Sequence, residues 1–523
     1  MLCADFLNTL YKLKINRTFI EHKKNSSIKK SKKCTYINME VEKKIDPLGF
    51  REYDARWLYP KSINSKGIEA VGKGFGTQVI SSEKNPVVIV GNDYRSYSEE
   101  VKNNFIKGLL STGCNVKDIG LCLSPTVYFS QFKIKSNAVA MITASHNENG
   151  WTGIKSGIEK SLTFGPDDIK EIKTISENSH DYIPSNNGSY EFKEGIRDAY
   201  LKYLKGTQSV KRNLKIVIAC GNGTAGAFAP DLLRSLGCEV IELHCNLDFK
   251  FPNYNPNPED LTMLNDLAKS VKDNNADVGF AFDGDGDRLG VVDNEGNEIF
   301  SDKIGLMLAE YLSEKYSGSK FVIDVKSTGL FFNSEILKKN NCTVDMWKTG
   351  HSHMKRRVNE INALCGFEKS GHFFIGKPLG LGFDDGLRSA SMMIEYLDHY
   401  KNKSMSELYS KLNTSYQSPT MAPFCKDEEK YAVVDEITKR IIQDLDNKTK
   451  VADSEIVETN TVNGIRFSLS NGSWGLIRAS SNKPSLVIVI ESLVSNDEVE
   501  MIFKYINTLL NETGKVGEYD QKL

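Results

Sequence analysis

A short β-branched run, a helix-like stretch and a Cys-x-Val step recur three times along this chain, and the repeat fixes its gross architecture. Val87-Val88-Ile89-Val90 runs into Gly91 and returns through Gly113-Cys114-Asn115-Val116. Ile216-Val217-Ile218 leads to Gly221-Asn222-Gly223, then to Gly237-Cys238-Glu239-Val240. Phe321-Val322-Ile323 leads to Lys326-Ser327-Thr328-Gly329, then to Asn341-Cys342-Thr343-Val344. Apolar runs that stop at glycine or polar turns read as buried strands of mostly parallel sheets. Their recurrence at domain-sized intervals implies three α/β units. Beyond Ser418-Pro419 the pattern changes to a charged helix around Glu428 to Leu445 and shorter strands, a fourth domain of another type. A chain of 523 residues is too long for a single core in any case.

Charge excludes several classes. Lys+Arg 67 against Asp+Glu 68 gives a formal net charge of -1, which argues against a dedicated nucleic-acid or membrane-surface protein. No apolar stretch approaches the ~18 residues a membrane span needs. Ten cysteines occur without a C-x-x-C pair, so they read as reduced thiols of a cytoplasmic protein. Cys114, Cys238 and Cys342 share one place in the repeat and read as small buried thiols. His351-Ser352-His353 has no zinc-ligand spacing. The first 38 residues, with Lys23, Lys24, Lys29, Lys30, Lys32 and Lys33 among Asn and Ser, form a basic extension expected to be disordered. They read as a targeting presequence or as an over-long start ahead of Met39.

The chemistry lies at strand ends. Ala138 to Thr143 is strand-like and opens into Thr143-Ala144-Ser145-His146-Asn147; Val278 to Phe282 opens into Asp283-Gly284-Asp285-Gly286-Asp287-Arg288. Loops outside strand ends are where ligands gather in such sheets. Three carboxylates at alternate positions offer a hard divalent cation several anionic oxygens, and glycines between them let the backbone turn. A serine beside such an ion can carry a phosphoryl group. Two rival readings fail: no G-x-S-x-G surrounds Ser145, and the acidic run has Asn294 where an EF-hand loop needs glutamate. A third loop, Glu368-Lys369-Ser370-Gly371-His372, reads as extended, with Glu368 and Ser370 on one face.

The paired motifs T-A-S-H-N and D-G-D-G-D-R, in this order, resemble those of the α-D-phosphohexomutase superfamily. The Glu368 loop resembles its sugar-reading G-E-x-S-G-H, with Lys369 at the variable position. Trp347-Lys348-Thr349-Gly350-His351-Ser352, Lys326 and Asp384-Asp385-Gly386 resemble the bacterial phosphomannomutase/phosphoglucomutase branch. Phe50-Arg51-Glu52-Tyr53-Asp54-Ala55-Arg56 resembles the family's opening, with Trp57 replacing a glycine. Gly153-Ile154-Lys155 resembles its N-G-x-K, with Thr152 replacing Asn. Arg478-Ala479-Ser480-Ser481-Asn482-Lys483-Pro484 resembles its last phosphate-binding loop, altered at Ser481, Asn482 and Lys483.

The resemblance implies three similar mixed α/β sheet domains with helices on both faces plus a C-terminal α+β domain. The expected divisions are a basic extension (1–44), a phosphoserine domain (45–195), a metal-binding domain (196–297), a sugar-recognition domain (298–413) and a phosphate-binding domain (414–523). It implies interconversion of hexose 6-phosphate and hexose 1-phosphate, of mannose or glucose, through a phosphoserine and a bound bisphosphate. Ser145, Arg56, Lys155 and Arg288 would be catalytic. Tyr53, Lys326, His351, Glu368, Ser370, His372, Arg478, Ser480 and Asn482 would bind substrate. Mg²⁺ would sit on Ser145, Asp283, Asp285 and Asp287, with glucose 1,6-bisphosphate or an equivalent as activator. Phosphoglucosamine mutase, or a non-catalytic sugar-phosphate-binding homologue, are the alternatives.

Overall fold

The computed structural model describes residues 42–523 except 84, 179, 180, 207–209, 482 and 522. The basic extension up to residue 41 and Asn482 therefore lie outside the described residues. Lys43 and Lys44, assigned above to the extension, already dock on the first unit. The Lys43 ammonium donates to the carbonyls of Ser176 and Glu177, and the Lys44 N–H donates to Asn64 Oδ1 at 3.2 Å.

Each repeat builds one sheet, and the three sheets share a plan. In the first, Val87–Asn92 lies between Asn115–Leu121 and Ala138–Ile142, all parallel, and Trp151–Gly157 then runs antiparallel beside Ala138–Ile142. In the second, Lys215–Ala219 lies between Glu239–Leu243 and Val278–Phe282, again parallel, before Leu289–Asp293 runs antiparallel. In the third, Lys320–Asp324 lies between Thr343–Trp347 and Cys365–Phe367, before Phe373–Ile375 runs antiparallel. The sheets are thus mixed, as expected, a parallel set with an antiparallel extension; in the first, Tyr190–Phe192 adds a fourth parallel strand beside Asn115–Leu121. Each motif loop occupies the same slot, between the last parallel strand and the first antiparallel one. That slot needs no crossover helix, so a short loop suffices to turn the chain back and present side chains at the sheet's end.

Helices cover the faces, and one hydrophobic cluster runs through all three units, from Ile89 and Val139 through Phe280 to Phe321 and Phe367. Cys114 and Cys238 are buried, as expected of their place in the repeat. Cys342 is only partly so. Trp57 does not sit in a turn. It lies in strand Ala55–Leu58, buried, opposite Thr152, and its indole N–H donates to the Asp46 carbonyl at 2.8 Å. Two of the departures from the family pattern, Trp57 and Thr152, are thus cross-strand partners.

The C-terminal sheet is antiparallel, with its own core between one sheet face and helices Lys430–Asp446 and Asn496–Glu512. Glu491, on strand Leu486–Ser492, ties it to the third unit. Its carboxylate accepts from Thr328 Oγ at 2.7 Å, the Gly329 N–H at 2.8 Å, Lys303 Nζ at 3.2 Å and the Trp474 indole at 2.7 Å. Burial alone would raise this carboxyl, but Lys303 and the hydroxyl donors hold it down at about 2. Among the described residues no helix is long and apolar enough to cross a membrane.

Candidate active site

The three motif loops and the Arg478 hairpin converge on one cleft of about 550 Å³. Ser145 is 1 % exposed and has a left-handed backbone, φ 52°, which costs a non-glycine residue ~1–2 kcal/mol. Hydrogen bonds offset that strain. Arg95 donates to the carbonyls of Ser145 (3.0 Å), Asn147 (2.6 Å) and Glu148 (3.0 Å). Asp93 accepts from Thr143 Oγ at 2.9 Å and from the Ala144 N–H at 3.2 Å. Bonds to charged groups contribute ~1.5–3 kcal/mol each, so the clamp outweighs the strain. The sequence reading missed Asp93 and Arg95. Their signal was position: they follow the first β-branched run directly, in another strand-end loop.

The serine faces the acidic loop. Ser145 Oγ donates to Asp283 Oδ2 at 3.0 Å, and the two loops touch so closely that a Cβ on Gly284 would come within 2.5 Å of the Ser145 carbonyl. Asp283, Asp285 and Asp287 are fully buried, each offering a carboxylate oxygen within 4.8 Å of the others. At an effective dielectric of ~20, each like-charge pair at such range costs ~3–4 kcal/mol. Lys155 offsets part of this, its Nζ lying 2.8 Å from Asp285 Oδ2 and 2.5 Å from Asp287 Oδ2. Burial disfavours the Lys155 charge, but Asp285 and Asp287 outweigh it and hold the ammonium well above its ordinary pKa. The nearest cation to Asp283 is more distant, Arg288 Nε at 3.9 Å from Oδ2; burial and its two neighbours push its carboxyl well up. Asp285 Oδ1 and Asp287 Oδ1 remain buried without hydrogen-bond partners. An all-oxygen set with unpartnered carboxylate oxygens and surplus negative charge fits a hard divalent cation such as Mg²⁺.

Arg288 closes the acidic loop. Its Nη1 lies 3.2 Å from Glu259 Oε2 and its Nε donates to His372 Nε2 at 2.9 Å. Arg56 is held by Asp54, with Nη2 at 2.8 Å from Oδ2. The sugar-reading loop is a turn rather than the extended segment expected. The Gly371 N–H donates to the Glu368 carbonyl at 3.0 Å, and Gly371, with φ 93°, permits the bend. The turn brings Ser370 Oγ to 3.0 Å from Glu368 Oε2, while Oε1 accepts from the Gly350 N–H at 2.6 Å. Burial raises the Glu368 carboxyl. His351 begins helix His351–Glu360 and meets Tyr53 edge-on, ring centroids 4.9 Å apart. Burial, with Lys355 and Lys155 nearby, keeps His351 neutral, and its Nε2 has no partner at the cleft wall. Lys326 Nζ lies 3.9 Å from Asp324 Oδ2.

In the C-terminal domain, Arg478 Nε donates to Asn463 Oδ1 at 2.8 Å and Nη2 to Ser481 Oγ at 3.1 Å. Ser480 Oγ accepts from the Lys483 N–H at 3.2 Å. Lys430, which the sequence reading missed, braces this hairpin from below through the Ser480 carbonyl at 2.6 Å. The structure thus brings together every described residue expected in the site. Such a cleft, with a buried serine beside a carboxylate nest and a separate cationic grip, suits phosphoryl transfer on a substrate charged at both ends.

Comparison with known proteins agrees. Family models for phosphoglucomutase/phosphomannomutase α/β/α domains I, II and III match residues 47–182, 198–296 and 300–416. A phosphomannomutase/phosphoglucomutase of Pseudomonas putida is 34% identical over 463 residues, 88% of this chain and 95% of that protein. A phosphoglucomutase of Neisseria meningitidis is 32% identical, over 85% and 92%. The crystal structure of a phosphoglucomutase/phosphomannomutase family protein from Burkholderia thailandensis superposes with a TM-score of 0.80 at 27% identity, covering 90% and 99%. Fold and likeness together define an enzyme of the α-D-phosphohexomutase superfamily, an isomerase of carbohydrate metabolism. Within it, the chain belongs to the phosphoglucomutase/phosphomannomutase family and is a hexose-phosphate mutase.

Proposed function

We propose that the chain interconverts the 6-phosphates and 1-phosphates of mannose and glucose, with Ser145 as the phosphoryl carrier. The observation that carries this is the burial of Ser145 Oγ 3.0 Å from Asp283, beside a cleft lined by the next residues His146 and Asn147 and also by Arg478. Phosphorylated Ser145 would give its phosphoryl group to the free O1 or O6 of a bound hexose phosphate. The bisphosphate would turn end for end and return its other phosphate to Ser145. A bisphosphate such as glucose 1,6-bisphosphate would load the serine at the outset. Asp283, Asp285, Asp287 and a phosphoserine oxygen would hold Mg²⁺, which neutralises charge during transfer. Lys155, Arg288 and Arg56 surround the reacting end with cationic donors. Arg478, Ser480 and Asn482 would grip the non-reacting phosphate, while Tyr53, Lys326, His351 and His372 would contact the sugar phosphate from the rest of the cleft. Glu368 and Ser370 would read the 3- and 4-hydroxyls, which mannose and glucose share.

The test is a coupled assay with mannose, glucose and glucosamine 1-phosphates, run with and without the bisphosphate. Comparable turnover of the first two is expected, with Glu368→Gln impairing both by a similar factor. A preference above tenfold for glucosamine phosphate would instead favour phosphoglucosamine mutase. No turnover on any of the three would favour a binding homologue.

A further inference from the structure

Arg466 is a buried arginine of the C-terminal domain that donates its hydrogen bonds to another domain. It stands on strand Ile465–Leu469, and its Nη1 donates to the carbonyls of Val325 and Ser327, both at 2.8 Å. Those two carbonyls flank Lys326, which lines the cleft. The guanidinium lies over the Trp474 ring, 3.6 Å from its centroid. Burial pulls its pKa down to about 10, which leaves it charged near neutral pH, so both bonds are charge-assisted.

One donor atom shared by carbonyls on either side of a residue fixes the backbone between them. The turn it fixes follows strand Lys320–Asp324 and is closed by the Ser327 N–H, which donates to the Asp324 carbonyl at 3.0 Å. The Asp324 carboxylate holds the same turn from within the third unit. Its Oδ1 accepts from Ser327 Oγ at 2.6 Å and from the Lys369 N–H at 3.2 Å, and its Oδ2 accepts from Thr349 Oγ at 2.7 Å. The Lys326 turn is thereby tied to the loops that carry His351 and Glu368, while Arg466 holds it from outside the unit.

The seat of this turn is continuous with the phosphate grip. Arg466 pairs with Leu476 across two strands, and Leu476 shares its face with Arg478 two residues on. The same face packs Val325 against Trp474, Leu476 and Val489, while the other face carries the domain's own core. One sheet face thus presents both arginines, one to the backbone around Lys326 and the other to the cleft.

We propose that Arg466 is a positioning residue for Lys326: by holding the two flanking carbonyls it sets where the lysine ammonium meets the substrate, so that the sheet bearing the Arg478 grip also places a second substrate-facing cation. The inference rests on the mutase reading for the role of Lys326; the hold of Arg466 on the turn does not. The competing account is a buried arginine that only fastens two domains together.

Three full-length variants separate the accounts: Arg466→Met, Lys326→Met and the two combined. Arg466→Met keeps an apolar side chain against Trp474 but has no donor. It should raise KM for glucose 1-phosphate about tenfold while moving kcat less than about threefold, and it should speed amide hydrogen exchange across residues 325–329. Added to Lys326→Met, it should raise KM less than about twofold further, because the lysine through which it acts is gone. An unchanged KM in Arg466→Met overturns the proposal, as does unchanged exchange across 325–329. So do KM increases that multiply in the combined variant, which would assign Arg466 a structural role alone. Should Arg466→Met fail to fold, Arg466→Lys takes its place in the cycle. It keeps the charge but not the fork, so KM should rise about threefold and that rise should vanish on Lys326→Met; no rise overturns the proposal. A wild type that turns over no hexose phosphate, with exchange across 325–329 still released by Arg466→Met, would sink the functional reading and leave the hold on the turn intact.

Discussion

The Ser145 and Arg478 sides of the site are built differently. At the Ser145 side, side chains from two sheets are buried and cross-linked: Arg95 holds three carbonyls of the serine's loop, and Lys155 spans two aspartates. At the Arg478 side, one hairpin of the C-terminal sheet presents the grip, with Asn463 and Ser481 as the guanidinium's hydrogen-bond partners. Bond-making tolerates little misplacement, so the first side is over-determined. Holding a phosphate that must be released and replaced by the other end of the sugar needs charge more than rigidity. The contrast separates groups that should govern kcat from groups that should govern KM.

The largest break in that contrast should come from Ser145→Ala. It is expected to lower kcat by at least ~10³-fold, since the remaining site positions substrate but has nothing to carry the phosphoryl group. Intact-mass spectrometry after exposure to glucose 1,6-bisphosphate should show one phosphoryl group on the wild type and none on the variant; an active wild type that never acquires it contradicts the scheme. Asp285→Asn comes next, with an expected loss of ~10²–10³ in kcat and little change in Tm, and excess EDTA should silence the wild type comparably. Full activity in EDTA would remove the metal from the account. Asp93→Asn touches no substrate but loosens the serine's loop, so kcat should fall ~10-fold or more with KM nearly constant. An equal rise in KM would mean that the loop helps to bind the sugar. The smallest effect should be Arg478→Ala, raising KM for hexose phosphate ~10–100-fold while kcat at saturation changes less. A pure kcat defect there would erase the distinction between the two sides.

Much of this was legible in the residues because the chemistry sits in contiguous motifs at strand ends. Ser145, the three aspartates, Glu368 and Arg478 could each be named from their own loops. What the sequence did not disclose was support arriving from elsewhere in the fold. Arg95 lies fifty residues before the carbonyl it holds, and Lys430 looks like an ordinary helix lysine until the helices are packed. The turn at Glu368 was misread as extended because alternation of polar residues mimics a strand, and only the positive φ of Gly371 distinguishes them. Mixed sheets were expected, but which strands run antiparallel was not legible, because a short apolar run carries no sign of direction and pairing partners decide it.

Glu491 also sets the mechanics of the phosphate grip. It anchors one end of strand Leu486–Ser492 in the third unit, while the other end of the same strand leads out of the phosphate hairpin. At ~3.3 Å per residue the strand is a lever arm of ~17 Å. A swing of ~10° about the anchored end displaces the hairpin by ~3 Å, roughly the length of one hydrogen bond. A rocking movement too slight to disturb either core would therefore be enough to let a phosphate go and take hold of the next.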